Sequence, residues 1–229
     1  MIAMDFSEQK EILRLLQLCS PALPTGAFAY SQGLEFAVSA GWVNDKRSAS
    51  DWIQGLLKNS LANLDVPVLF RLHQAWSAND IKNVHYWNDF LYASRDSAEF
   101  QAEERQLAQA LARLLIDLGI LEAAEWREQS KSCFLSMFAL GAVHWKISVL
   151  NASLGYLWMW AENQVLAAIK LVPLGQTDGQ KILSSMTEMI PNIVLQGSSM
   201  NDEDIGFSAT GQSMSSALHE TQYTRLFRS

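Results

Sequence analysis

The side chains that most often bind metals or act as nucleophiles are few in this sequence. Its four histidines are widely separated: His73, His85, His144 and His219. A metal site needs clustered ligands at spacings such as H-x-x-x-H or C-x-x-C, and neither spacing occurs here. The two cysteines, Cys19 and Cys133, are typical of buried apolar residues in a reducing compartment. The pattern predicts no metal ligands, no bound cofactor and no catalytic residues.

One glycine-containing segment superficially resembles a phosphate-binding loop. Residues 175–182 read GQTDGQKI, with Lys181 after the second glycine. A P-loop needs a wider glycine spacing, a serine or threonine after the lysine and a preceding strand, and this segment fits none of these requirements. We predict a turn between two helices, whose polar side chains are either simply solvated or form a recognition surface. This predicted polar corner consists of Lys170, Gln176, Thr177, Asp178 and Gln180.

Carboxylates beside apolar residues are the remaining candidates for proton transfer. Glu103 and Glu104 lie within a long helical pattern, and Glu162 follows an apolar run. A general acid or base needs a partner group, and the neighbouring sequence supplies none. We therefore predict that Glu103 and Glu104 lie on a solvated helix face.

The end of the sequence differs from the rest of this acidic chain. After His219 it places apolar residues between arginines, in the order Tyr223, Arg225, Leu226, Phe227 and Arg228. Arginine and aromatic side chains contribute disproportionately to protein interfaces. Two arrangements fit: a docking tail that is weakly held without its partner, or a segment folded back and held by arginine–carboxylate pairs. Composition favours a docking tail over residues 217–229, tethered by a flexible Ser-, Gly- and Asp-containing connection over residues 197–216.

Charge and hydropathy exclude several classes of partner. The net charge is −7 and the pI is about 5.1, so the chain lacks the basic character that nucleic-acid binding needs. The most apolar uncharged stretch, residues 147–161, is shorter than the roughly 20 residues that span a bilayer. Charged residues interrupt the first dozen positions, which does not suit a secretory signal. We expect no nucleic acid and no membrane among the partners.

The remaining composition favours helices. Twelve glycines and five prolines are few for 229 residues, and apolar residues recur at helical spacing without a linker before residue 197. We predict an all-α fold: a single domain over residues 1–229, a bundle of about eight to ten helices with a flexible C-terminal tail.

Local signals position several of these helices. Ser48 and Asp51 fit a capping box ahead of an apolar run, and residues 97–118 form the longest regular pattern. Residues 134–172 predict two apolar helices packed as a central pair. Residues 179–190 predict one more helix, which ends before Pro191.

Three separated blocks of the sequence resemble the urease accessory protein F (UreF) family. They are residues 15–35, LLQLCSPALPTGAFAYSQGLE; residues 167–180, AAIKLVPLGQTDGQ; and residues 219–229, HETQYTRLFRS. The first block departs from the family pattern at Cys19, Thr25 and Ala29. A weaker match that begins at Arg95 departs at Gln101 and Ala108. The matches occur in the same order as in the family, and together they extend over essentially the whole chain.

This resemblance implies a cytoplasmic, all-helical assembly factor that is dimeric in the family. Such a protein joins a second urease accessory protein, called D or H, recruits the nickel-carrying GTPase G, and modulates nickel delivery to apo-urease. We assign the polar corner to the GTPase side. To the D or H side we assign His219, Tyr223, Arg225, Leu226, Phe227 and Arg228. The dimer candidates, for which core packing is the alternative, are Leu23, Phe28, Tyr30 and Leu34.

Two other functions compete with the adaptor. An enzyme could use His144 or Glu162 in a pocket between helices, although neither has a supporting base or metal nearby in sequence. A GTPase activator would supply an arginine or glutamine to its partner's active site. Single-turnover GTP hydrolysis by the partner, with and without this chain, separates an activator from an adaptor.

Overall fold

A computed structural model of the chain describes residues 6–229, which form eleven α-helices and contain no β-strand. The helices are α1 (Ser7–Leu18), α2 (Leu34–Ser39), α3 (Lys46–Leu56), α4 (Asp65–Ser77), α5 (Ile81–Ala93), α6 (Ala98–Asp117), α7 (Phe134–His144), α8 (Val149–Leu171), α9 (Gln176–Met186), α10 (Met189–Ser198) and α11 (Thr210–His219). Short 3₁₀ turns lie at Ala27–Ala29, Leu121–Trp126 and Asp202–Asp204, and a π-helical turn, Leu57–Leu61, continues α3. The all-α prediction is confirmed. Across residues 6–229, no helix is both long and apolar enough to cross a membrane.

Helix α7 lies at the centre of the molecule. Residues 134–142 are buried on every side of this helix, as expected of a helix that is apolar around its whole circumference. It packs mainly against α4 and α6 and only lightly against α8, whereas α8 packs against α2, α9 and α10. The central pair predicted over residues 134–172 is therefore wrong in its pairing, because an all-round apolar helix needs several neighbours to cover it.

Side-chain caps fix where several helices begin. Asp45, not Ser48, caps α3: its carboxylate accepts a 2.7 Å hydrogen bond from the Ser48 backbone N–H. The Ser48 hydroxyl in turn lies 3.1 Å from the Asp45 backbone nitrogen, which completes a capping box one turn earlier than predicted. Ser97 caps α6 through the Phe100 backbone N–H, in agreement with the predicted start of that helix.

The chain after α8 forms two helices where the sequence predicts one. Pro191 lies in the first turn of α10, where its missing N–H costs no intrahelical hydrogen bond. Near the other end of α10, Gly197 approaches the start of α4 closely: a Cβ atom there would lie 2.5 Å from Val66 Cγ1 and 3.1 Å from the Ala62 carbonyl oxygen. Only glycine permits this approach.

The structure differs from the predicted flexible connection over residues 197–216. Helix α10 extends to Ser198, a 3₁₀ turn follows, and α11 begins at Thr210. Arg71 pairs with Asp202 at 2.9 Å, and the Asp96 carboxylate accepts hydrogen bonds from the hydroxyls of Ser208 and Ser213, both at 2.5 Å. The short polar side chains that suggested a mobile connection instead bond to the body of the protein.

Candidate functional site

The C-terminal segment, residues 220–229, lies folded against the body of the protein. The Glu35 carboxylate of α2 accepts hydrogen bonds from the backbone N–H groups of Leu226 at 2.6 Å and Phe227 at 2.8 Å. Further along, the Ser31 backbone N–H donates to the Ser229 carbonyl oxygen at 2.7 Å. A carboxylate bound to two consecutive amides makes charge-assisted hydrogen bonds, which are stronger than neutral ones.

A buried ionic cluster joins the start of this segment to α2 and α6. His219 is fully buried, with Nε2 3.2 Å from Glu35 Oε2 and Nδ1 2.9 Å from Glu99 Oε2. Arg225 Nη1 lies 2.8 Å from the other oxygen of Glu99. Both ring nitrogens of His219 thus face carboxylate oxygens, one from α2 and one from α6. Of the two arrangements that fit the sequence of residues 217–229, the structure shows the folded-back one.

Phe227 anchors the segment in a small apolar cluster of its own. Its side chain is 5% exposed and packs among buried side chains of α2, α3 and α8, including Leu34, Ala49 and Ala168. The Lys170 ammonium lies 5.4 Å from the centroid of the Phe227 ring, within cation–π range. The C-terminal segment and the polar corner, predicted as separate surfaces, therefore touch each other.

The residues assigned to the accessory-protein side divide into anchors and exposed residues. His219 and Phe227 are buried and do not reach a partner in this conformation, which corrects their assignment as contact residues. Tyr223 is fully exposed at 103%, and Leu226 is 64% exposed. The sequence alone could not separate anchors from exposed residues. In an irregular segment, the surface against which the segment packs determines which side chains are buried.

The polar corner lies at the end of α8 and in the first turn of α9. Lys170, Gln176, Thr177 and Gln180 are exposed there. Asp178 is partly covered and accepts a 2.8 Å salt bridge from Lys46 of α3, whose hydrogen bond lowers the pKa of the Asp178 carboxyl. A helix precedes the glycine-containing segment, in agreement with the prediction that it is no P-loop.

The four dimer candidates do not share one surface. Tyr30 is 4% exposed and Leu34 is fully buried, so both belong to the core of a single chain. Leu23 is partly buried against that core, and only Phe28 is largely exposed, at 63%. The apolar N-terminal block is thus mostly core, which was the alternative left open for it.

A buried charged network joins α4, α6 and α8. Arg95 pairs with Asp65 at 2.7 Å and with Glu104 at 2.6 Å, and the Tyr156 hydroxyl donates to Asp65 at 2.8 Å. Burial, reinforced by the Asp65 charge, raises the pKa of Tyr156 well above its ordinary value. Glu104 also accepts a hydrogen bond from the Phe134 backbone N–H at the start of α7. The prediction that Glu104 is solvated is wrong.

Glu103 is buried as well, and its surroundings differ from those of Glu104. Its donors are uncharged: the Gln32 amide at 2.7 Å and the Ser229 hydroxyl at 2.8 Å. Gln32 is held in turn by the Trp160 indole N–H, 2.7 Å from its amide oxygen. Burial raises the pKa of Glu103 to about 7, although both hydrogen bonds lower it. The carboxylate borders a cavity of about 100 Å³ that Arg95 also lines.

The sequence contains a signal for this burial that the prediction missed. Phe100, Glu103, Leu107 and Leu111 follow one another at helical spacing, so Glu103 lies within the apolar stripe of α6. A carboxylate in such a stripe is buried and needs hydrogen-bond donors from elsewhere in the fold.

Within residues 6–229, no three His, Cys, Asp or Glu side chains are grouped so as to hold a metal ion. The histidines serve other contacts: His73 bonds to the Ile147 carbonyl oxygen at 2.9 Å, and His85 stacks on Trp126. The fold and this site define an all-α protein whose C-terminal segment is held to α2 and α6 by a buried ionic cluster.

Comparison with known proteins identifies the family. The UreF family model matches residues 43–187, and the chain belongs to the urease accessory protein UreF family. The resemblance carried by the three sequence blocks is thereby confirmed.

Three relatives named urease accessory protein UreF are similar along nearly their whole lengths. The protein of Alkalilimnicola ehrlichii is 49% identical over 216 residues, which is 94% of this chain and 95% of the relative. That of Hahella chejuensis is 44% identical over 218 residues, covering 95% and 98%. That of Teredinibacter turnerae is 45% identical over 219 residues, covering 96% and 99%. These matches extend beyond residues 43–187 on both sides.

Proposed function

We propose that this chain is a non-catalytic assembly factor of urease maturation, located in the cytoplasm. It bridges a second accessory protein, D or H, and the nickel-carrying GTPase G, and so modulates GTP-dependent nickel delivery to apo-urease. Nickel is cargo in this scheme. Family membership supports the urease context, and the geometry of the C-terminal segment supports the docking role.

The exposed face of the C-terminal segment is the observation that carries the proposal. Tyr223 and Leu226 project from a backbone that Glu35 and the buried Phe227 hold in place. Large side chains presented on a fixed backbone lose less conformational entropy on binding than those of a mobile tail. Arg225 and Arg228 lie on the same segment, and arginine beside apolar side chains is typical of interface hot spots.

The polar corner supports a second contact next to the first. Lys170 covers Phe227 from one side, and the exposed amides of Gln176 and Gln180 follow in the first turn of α9. Long polar side chains at a helix start offer donors and acceptors with little role in the core. We assign this corner to the GTPase, and Leu23 and Phe28 remain the candidates for contact in a homodimer.

The docking role is tested by copurification with accessory protein D or H. Deleting the whole segment would also remove the Phe227 anchor, so a point substitution on the exposed face is the sharper test. Leu226→Asp places a charge where the proposed interface is apolar, and we expect it to weaken binding about tenfold or more. Because Leu226 is 64% exposed, the helical content and melting temperature should stay near those of the wild type.

A matched control is Leu195→Asp on α10, where the leucine is 68% exposed and lies outside both proposed surfaces. This variant should bind accessory protein D or H like the wild type. Wild-type binding by Leu226→Asp, or equal loss in both variants, would contradict the docking assignment.

A further inference from the structure

The start of α3 lies against the polar corner. Lys46, the first residue of α3, places its ammonium 2.8 Å from an Asp178 carboxylate oxygen in the first turn of α9. Ala49, one turn further along α3, belongs to the apolar cluster that contains Phe227, and the Lys170 ammonium lies over the Phe227 ring. The beginning of α3 and the end of α8 therefore meet at one side of the molecule. The sequence does not predict this meeting, because Lys46 and Asp178 are 132 positions apart.

Two cations share one carboxylate at this meeting point. The Asp178 oxygen that accepts the Lys46 hydrogen bond is also 3.7 Å from the Lys181 ammonium, one turn further along α9. The side chains of Lys46 and Lys181 are 43% and 64% exposed, so both ammonium groups also face solvent. One carboxylate thus offsets only part of the positive charge around it.

Arg47 and Lys170 add further positive charge. The Arg47 side chain is 91% exposed and lies 3.8 Å from the exposed Asp51 carboxylate, a geometry in which ion pairs are weak. The Lys170 ammonium lies over an aromatic ring, which carries no net charge. We refer to Lys46, Arg47, Lys170 and Lys181 as the basic surface. Its four cations outnumber the carboxylates of Asp45, Asp51 and Asp178 beside them, on a chain whose net charge is −7.

We propose that the basic surface extends the polar corner and binds an acidic face of the GTPase. This inference rests on the proposed function, because that proposal assigns the polar corner to the GTPase. The start of α3 thereby joins the contact, and the matching face of the GTPase is rich in aspartate and glutamate. Opposite charges on two faces raise the rate of association and fix the orientation of the partners.

The mixture of charges favours a protein over a polyanion as the partner. Asp45, Asp51 and Asp178 lie among the four cations, and they would repel the evenly spaced charges of a nucleic acid or an anionic membrane. The net charge of −7 acts in the same direction. A protein face can instead place separate carboxylates opposite the cations and pair its polar groups with the exposed amides of Gln176 and Gln180.

Charge reversal on the basic surface tests the proposal. The GTP-loaded GTPase is titrated against the full-length chain in the presence of accessory protein D or H, and the dissociation constant is measured at low and at high salt. The double variant Arg47→Glu/Lys181→Glu should bind about tenfold or more weakly than the wild type at about 50 mM salt. The difference should shrink to less than about threefold at about 500 mM salt, because exposed charges are screened.

The double variant should keep the fold. Both side chains are largely exposed, and glutamate forms helices about as readily as arginine and lysine do. Arg47 lies in the first turn of α3, where an acidic residue suits the helix dipole. The Lys46–Asp178 pair stays intact, so the melting temperature should remain near that of the wild type.

A matched control is the double variant Lys82→Glu/Arg127→Glu, which changes the net charge by the same amount. Lys82 is the exposed second residue of α5, a helix capped by Asp80, just as Arg47 is the second residue of α3. Arg127 is also exposed and follows the 3₁₀ turn Leu121–Trp126. The control should bind the GTPase like the wild type at both salt concentrations.

Equal binding by the wild type and Arg47→Glu/Lys181→Glu would overturn the proposal, as would an equal loss in the control or a loss that is independent of salt. A variant that keeps GTPase binding but loses binding of the wild type to a DNA duplex or to anionic vesicles would reassign the surface to a polyanion. Each of these results leaves the bridging role standing. Absence of GTPase binding by the wild type would contradict both the basic surface and the GTPase side of the proposed function.

Discussion

At the scale of single residues, Phe227 anchors the C-terminal segment to the body of the protein. Its ring fills the small cluster between α2, α3 and α8, whereas Tyr223, four residues earlier, is fully exposed. We expect Phe227→Ala to lower the free energy of unfolding by about 3 kcal/mol, because a buried aromatic ring is lost and leaves a cavity. Urea denaturation measures this change.

Tyr223→Ala is the matched substitution for that prediction. It removes a side chain of similar size that is fully exposed, so the free energy of unfolding should change by less than about 0.5 kcal/mol. Equal effects of the two substitutions would mean that Phe227 does not hold the segment in solution.

Residues also show where prediction from sequence reaches its limit. Tyr30 and Leu34 are apolar, and an apolar residue suits a core as well as an interface, so only the fold could place them in the core. Glu103 differs for another reason: its charge predicts a solvated position, whereas its place in the apolar stripe of α6 predicts burial, and the structure shows burial. Periodicity predicted that stripe correctly, and a buried carboxylate follows from it.

At the scale of elements, the structure decides between two candidate N-caps of α3. The N-cap is Asp45, whereas the sequence pattern predicts Ser48 with Asp51. Asp45→Ala should lower the melting temperature by about 2–4 °C, because the first turn of α3 loses a cap. Asp51→Ala should leave the melting temperature within about 1 °C of the wild type, since Asp51 is exposed on the body of the helix.

The Asp45 cap also predicts that its contribution to the melting temperature depends on pH. Hydrogen bonds from Ser48 lower the pKa of Asp45, so its stabilising effect is present above the ordinary pKa of an aspartate and is lost as the pH falls through the lowered value. The difference in melting temperature between wild type and Asp45→Ala should therefore shrink in acid. A difference that is constant down to strongly acidic pH would contradict the carboxylate cap.

A helix can be predicted from sequence where its own residues determine its start and its apolar face. Ser97 caps α6 and the apolar pattern continues for five turns, so this helix could be read from the sequence alone. Residues 197–216 could not, because their serines and aspartates bond to Asp96 and Arg71, which lie far away in sequence. Composition describes what a segment could do in isolation, and tertiary partners decide whether it is ordered.

At the scale of the whole molecule, the two proposed surfaces adjoin through Lys170 and Phe227. The sequence blocks identified the family and supplied both sets of residues, and comparison with relatives confirmed the family. The contact between the two sets arises because α8 and the C-terminal segment meet at the small apolar cluster. No local pattern predicts that meeting, since Lys170 and Phe227 are 57 positions apart in the chain.

The bridging role is tested most directly by sedimentation velocity of the purified chain mixed with accessory protein D or H and with the GTP-loaded GTPase. The proposal predicts one complex that contains all three proteins, and separate sedimentation of the other two when the chain is left out. Association of the GTPase with accessory protein D or H to the same extent without the chain would contradict the bridging role.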